Sequence, residues 1–253
     1  MNPPSTAPPT PLKLSVVVPA FNEEKLLGET LASIQAAGRA AFDAAGWGWE
    51  LVVCNNNSTD RTPDIARAAG ARVVFEPVNQ IGRARNAGAG AAVGEWLLFV
   101  DADSRPSAGL LEAMRRAIDS GRILGGGSTL RMETEERIAR FMTWGWNRVS
   151  RFRRWAAGSF IFVEAAAFRA VGGFHQELYV SEEIELSKRL NVLARAQGRE
   201  FLILHRHPMP TSARKLSLYT KREHLRFLWQ MIRSRGGSLR DRERCFVWYD
   251  GRR

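Results

Sequence analysis

Two cysteines are all that 253 residues contain. Cys54 closes an apolar run and Cys245 lies far away near the other end, so a disulfide scaffold is not expected and a reducing cytoplasm is. No apolar stretch approaches the roughly 20 residues that a membrane-crossing helix needs. Met1-Asn-Pro-Pro-Ser-Thr-Ala-Pro-Pro-Thr-Pro11 has no apolar h-region, so it reads as a disordered lead-in rather than a signal peptide. Acidic residues are in deficit: 26 Asp and Glu stand against 37 Lys and Arg, a formal charge of +11. That balance favours an anionic partner, whether a phosphorylated substrate, an anionic membrane surface or a nucleic acid. There is no Gly-Lys-Ser/Thr phosphate loop and no internal repeat. Gly88-Ala-Gly-Ala-Ala-Val-Gly94 is no dinucleotide fingerprint, because it lies in a helical stretch and precedes a strand.

The remaining composition is that of a soluble globular protein, with 45% hydrophobic and 25% charged residues. The length suffices for one large domain, or for one domain with an extension. Leu14–Val18 reads as a first strand, stopped by Pro19. A helix follows from Glu23 to about Arg39, then a strand at Glu50–Cys54. Ser58-Thr-Asp60 can cap a helix over Thr62–Ala69 that Gly70 ends. A strand at Ala71–Phe75 and a small-residue helix over Gln80–Val93 complete an alternation that predicts a doubly wound, mostly parallel α/β sheet. Further on, Pro106–Ser120 reads as a helix, Ile123–Leu130 and Gly158–Val163 as strands, Ser181–Ala196 as a helix and Glu200–Leu204 as a short strand. Between them, Glu133–Trp155 mixes aromatic residues with arginines. Leu216–Arg235 reads as a basic amphipathic helix, suited either to cover a core or to lie in an anionic membrane interface.

The most informative segment is Glu95-Trp-Leu-Leu-Phe-Val-Asp-Ala-Asp-Ser104. Trp96–Val100 is continuously apolar, as in a strand buried on both faces. Bare carboxylates are expensive to bury, so Asp101 and Asp103 should emerge at the C-terminal edge of the sheet, where open α/β sheets bind ligands. Two carboxylates at this spacing can share a hard divalent cation, Mg²⁺ or Mn²⁺, which often bridges phosphates. The plain alternative is a pair of solvated loop aspartates. Pro19-Ala-Phe-Asn-Glu-Glu24 turns out of the first strand, where backbone amides and Phe21 could meet a nucleotide. Cys54-Asn-Asn-Asn-Ser-Thr-Asp60 offers side-chain amides that could read a base edge, although a capped turn would use the same residues. Arg83 and Arg85 are candidates for phosphate.

In this order, Pro-Ala-Phe-Asn-Glu, Asn-Asn-Ser-Thr-Asp-Arg-Thr, Ala-Arg-Asn-Ala-Gly and Phe-Val-Asp-Ala-Asp resemble the family 2 glycosyltransferases. The likeness continues through Gly158-Ser159, Ala170-Val-Gly-Gly-Phe174 and Ser181-Glu-Glu-Ile-Glu-Leu186, over roughly residues 12 to 215. It implies a GT-A fold, Rossmann-like, with a nucleotide-binding half over 12–104 and an acceptor half over 105–215. Residues 216–253 would form the C-terminal helix and tail. It also implies a nucleoside diphosphate sugar donor and Mg²⁺ or Mn²⁺. Pro19, Ala20, Phe21 and Glu23 would line the nucleoside pocket. Asn55 or Asn56 stands where the family has a uracil-binding aspartate, which loses the charge-assisted bond. Asp101 and Asp103 would be the metal pair, with Asp103 the direct ligand. Glu183 would be the base with Glu182 beside it, in place of the family's Glu-Asp. His207 rather than His205 would add a metal ligand, being further past the last strand. Arg214 and Lys215 would close over the diphosphate. The implied reaction transfers a sugar to an acceptor hydroxyl, lipid-linked or on a polysaccharide, with inversion. A sugar nucleotidyltransferase is the alternative, but its Gly-rich basic loop is missing after the first strand. A non-catalytic protein binding membrane or nucleic acid is the other, and the acidic motifs disfavour nucleic acid.

Overall fold

The computed structural model describes residues 12–212. Seven strands and seven α-helices succeed one another among them, with one 3-10 turn at Asp43–Ala45. β1 (Leu12–Ala20), α1 (Leu27–Ala41), β2 (Gly48–Asn55), α2 (Thr62–Ala68), β3 (Arg72–Phe75), α3 (Ile81–Ala91) and β4 (Trp96–Val100) make the alternating first half. The second half contains α4 (Ala108–Asp119), β5 (Ile123–Glu133), α5 (Arg137–Arg153), β6 (Phe160–Glu164), α6 (Ala165–Ala170), α7 (Glu182–Ala196) and β7 (Glu200–Ser212). The seven strands form one sheet in the order β3-β2-β1-β4-β6-β5-β7. Pairing is parallel except where β6 runs antiparallel to both β4 and β5. The expected α/β architecture is therefore present, with one reversed strand inside it.

Helices cover both faces. Leu14, Val16 and Val18 of β1 point into a cluster built with Leu31 and Ile34 of α1 and Leu110 and Met114 of α4. Val17, on the opposite face, joins Ala89 of α3, Phe168 of α6 and Leu186 and Leu190 of α7. A two-residue alternation thus feeds two cores. β4 is buried along its whole length, as its unbroken apolar run requires. The small residues of α3 have a packing reason: a Cβ on Gly88 would collide with Val17. Likewise a Cβ on Gly126 of β5 would strike the Leu202 carbonyl of β7.

Several boundaries depart from expectation. β1 runs through Pro19 to Ala20, with Pro19 in register with Cys54. The missing N–H costs little at the last step of a strand, and the Ala20 carbonyl still accepts from the Asn56 N–H at 2.8 Å. α1 begins at Leu27 rather than Glu23, because Glu23 opens a turn whose carbonyl accepts from Leu26 and Leu27. Glu133–Trp155, which had no assigned element, is largely α5, and α6 was not foreseen. β7 extends to Ser212 rather than ending at Leu204. The expected stop is a bulge: His205–Pro208 stand opposite Thr129 alone, after which Met209 pairs with Leu130 and Ser212 with Glu133. The C-terminal helix expected at Leu216–Arg235 lies outside the described residues, as do the lead-in and Arg214 with Lys215. No helix among the described residues is long and apolar enough to cross a membrane.

Candidate active site

β1, β2, β3 and β4 all end at the same edge of the sheet, and their loops are stitched together there. Asn22, left-handed at φ 51°, donates its N–H to Ser58 Oγ at 3.0 Å and accepts from the Thr59 N–H through Oδ1 at 2.8 Å. The Glu23 N–H donates to Thr62 Oγ1 at 2.8 Å. Asp60 accepts from the N–H groups of Glu24 and Thr62, at 3.1 and 2.9 Å. Burial opposes ionisation of Asp60, but the bonds from Thr62 and Glu24 outweigh it and hold the carboxyl below its ordinary range. These bonds fix Phe21, half-buried, and Glu23, buried, between the two loops.

The asparagines divide the work. Asn56 donates through Nδ2 to the carbonyls of Glu76 and Val78, at 3.2 and 2.6 Å, and accepts from the Gln80 N–H at 2.9 Å. Its amide is committed to shaping the loop before α3. Asn55 accepts from the Ser58 N–H through Oδ1 at 2.9 Å, and its Nδ2 bonds no other described residue. Gln80 extends the frame across the molecule, donating to the carbonyls of Gln176 and Leu178.

Arg85 stands at the centre. Its side chain is 2% exposed. Nη1 donates to Glu182 Oε1 at 2.7 Å, and Nη2 donates to Asp101 Oδ1 at 2.8 Å and to the Gly158 carbonyl at 3.1 Å. The guanidinium also lies over the Phe174 ring, 5.2 Å from its centroid. Such a residue holds carboxylates rather than facing open space, which differs from the phosphate contact expected of it. Arg83 is likewise engaged, with Glu76 Oε1 at 3.2 Å and Gln176 Oε1 at 3.0 Å. One buried cation thus serves Asp101 and Glu182, with Glu183 nearby. Burial and the neighbouring Glu183 raise the Glu182 carboxyl to about 8, against the opposing pull of Arg85. Glu183, only half-buried by exposure, is also raised, first by burial, with Arg85 again opposing. Beside the Arg85 guanidinium, at the first turn of α7, the two acids bind protons more tightly than ordinary carboxylates, as a general base requires.

Asp101 and Asp103 follow directly on β4, at the sheet edge. Asp101 is a quarter exposed, with one oxygen taken by Arg85, and Asp103 is half-buried, its Oδ1 accepting from Ser104 Oγ at 3.4 Å. Oxygen donors of this kind fit a hard cation that completes its shell with water and diphosphate. They do not make a protein-only cage: among the described residues no three His, Cys, Asp or Glu side chains could hold a metal ion together. His207 is not brought into a cluster of three with Asp101 and Asp103 among the described residues. The β7 bulge carries it against α4, where a Cβ on Gly109 would come within 2.9 Å of its Nδ1. Sequence reasoning also missed the Gly158 carbonyl, which no residue type announces, and the ring of Phe174, although both lie in motifs that drew attention.

The model of "Glycosyl transferase family 2" matches residues 15–171. An uncharacterized glycosyltransferase of Mycobacterium tuberculosis (strain ATCC 25618 / H37Rv) is 37% identical over 108 residues, which are 43% of this chain and 44% of that one. A dolichyl-phosphate beta-glucosyltransferase of Trichomonas vaginalis is 30% identical over 46% of this chain and 37% of its own. The chain therefore spans less than half the length of these relatives. Among solved structures, S. aureus TarS 1-349 in complex with UDP-GlcNAc has a TM-score of 0.64 at 21% identity, over 93% of this chain and 69% of that one. Mannosyltransferase PcManGT from Pyrobaculum calidifontis, in complex with GDP-Man and Mn²⁺, has a TM-score of 0.64 at 18% identity, over 92% and 64%. The fold is that of these GT-A enzymes, and the chain belongs to glycosyl transferase family 2.

Proposed function

We propose that this chain transfers a sugar from a nucleoside diphosphate sugar to an acceptor hydroxyl, inverting the anomeric carbon. The observation that carries the reading is the Arg85 bridge. It joins Asp101, on the donor side of the sheet edge, to Glu182, at the start of α7, with both bonds under 3 Å. Donor diphosphate and acceptor base would then share one electrostatic unit.

The nucleoside would rest on Phe21 and the turn from Ala20 to Glu23, with the uncommitted amide of Asn55 towards the base. Asp103, with the outer oxygen of Asp101, would hold Mg²⁺ or Mn²⁺ jointly with the diphosphate. When bound, the cation would offset charge growing on the leaving group. Arg85 keeps Asp101 aimed, since the guanidinium fixes one of its oxygens. Glu183 is the base: it is less buried than Glu182 and not held by the bond that Arg85 makes to Glu182 Oε1. Its proton affinity, raised by burial, suits it to take the acceptor proton as the hydroxyl attacks. A carboxylate on the acceptor side favours inversion. Relatives named for dolichyl-phosphate support a lipid-linked acceptor.

The test is release of nucleoside diphosphate from a panel of UDP- and GDP-sugars, with Mg²⁺ or Mn²⁺ and after chelation. Metal-dependent release from one donor class is expected. No release from any donor with either metal would refute the assignment.

A further inference from the structure

We infer that α5 docks onto an anionic phospholipid surface. α5 is held to β5 by one face. Asn147 donates through Nδ2 to the Leu130 carbonyl at 2.8 Å and accepts the Leu130 N–H at 2.9 Å. Ala139, Thr143 and Ser150 are buried on that side. An amphipathic helix ordinarily turns its apolar stripe to the core. Here the stripe faces the other way. Ile138, Phe141, Met142, Val149 and Phe152 recur at helical spacing and are all exposed, Phe141 at 70% and Phe152 at 84%. A contiguous apolar patch of this kind on a surface marks an interaction site.

The charge beside the stripe identifies the occupant. Arg137, Arg140, Arg148 and Arg151 project along one flank of the stripe, and Arg153 lies on the other. Among the described residues none of these five arginines forms an ion pair. Arg148 lies over the Trp144 ring at 5.3 Å, and Arg153 over Phe152 and Trp155 at 6.0 and 5.6 Å. Aromatic side chains inserted at headgroup depth with arginines at the phosphates is the arrangement of an interfacial helix. A protein face covering the stripe would have to supply carboxylates to these arginines. Residues 213–253 of this chain carry twelve Lys and Arg against four acidic residues, a charge balance that repels rather than matches these arginines.

The test is co-sedimentation of the full chain with vesicles of phosphatidylcholine alone or mixed with phosphatidylglycerol, at low and high salt. Partition onto the phosphatidylglycerol vesicles at low salt is expected. R140Q/R148Q/R151Q should lower it by about a hundredfold, each charge near the surface contributing separately. F141S/F152S should lower it as well, while leaving the melting temperature without vesicles unchanged. Three results would overturn the inference. One is no partition that depends on anionic lipid. Another is wild-type partition by both variants, which would move lipid contact to residues 213–253. The third is a lower melting temperature of F141S/F152S without vesicles, which would mean that protein already covers the stripe.

Discussion

Glu182 and Glu183 are neighbours in sequence with different surroundings. Glu182 is bonded to Arg85 and fully enclosed, while Glu183 keeps partial exposure. Glu183→Gln is nearly isosteric and should lower turnover by about 10²–10⁴, with donor affinity kept. Single-turnover kinetics with donor-binding calorimetry separates the two effects. Wild-type turnover in this variant, or a larger loss in Glu182→Gln, would reassign the base. The acidic limb of the rate profile should lie above the ordinary carboxylate range, because burial raises Glu183. A linked effect on stability follows from Glu182. Its carboxyl is raised from 4.5 to about 8 in the folded protein, so the native state binds the extra proton. Its contribution is full below about 4.5 and is lost as pH rises towards about 8. Urea midpoints across that window should fall with pH, and Glu182→Gln should flatten the fall. The residue types at this site were legible in the sequence, since carboxylates after a buried strand and at a helix start carry their own signal. Their partners were not. Arg85 read as a phosphate ligand because an arginine near a sheet edge gives no sign of how deeply it is buried or which carboxylates reach it.

Among the elements, α3 shows how packing and site are joined. Gly88 brings the helix against Val17, and that approach sets Arg85 between Asp101 and Glu182. Gly88→Val should therefore overpack the interface and cost about 1–3 kcal/mol. Arg85→Met should cost more, about 3–5 kcal/mol, because it leaves Asp101 and Glu182 without their buried cation. Urea denaturation of both variants checks the order; an Arg85→Met protein as stable as wild type would mean that the cluster is neutral without its arginine. The parallel half of the sheet followed from apolar runs and turn residues alone. β7 did not, because Pro208 and the polar His205-Arg206-His207 resemble a loop, and only pairing with β5 shows them to be a bulge. α5 was equally hidden. Its apolar residues face outward, so its periodicity carried no message about a core.

Across the sheet, the proposed donor and acceptor functions would share one edge, and β6 makes that possible. By reversing between β4 and β5 it returns the chain through Gly158 to the back of Arg85. The net charge of +11 fits a donor diphosphate in the site and an anionic surface outside it. The most direct measurement is calorimetry of sugar nucleotide binding to the wild type and to Asp103→Ala, each with Mn²⁺ and with chelator. One donor class should bind the wild type only with the metal, and Asp103→Ala, folded as judged by its melting curve, should lose that metal-dependent binding. Equal affinity in the two proteins, or donor binding indifferent to metal, would contradict it.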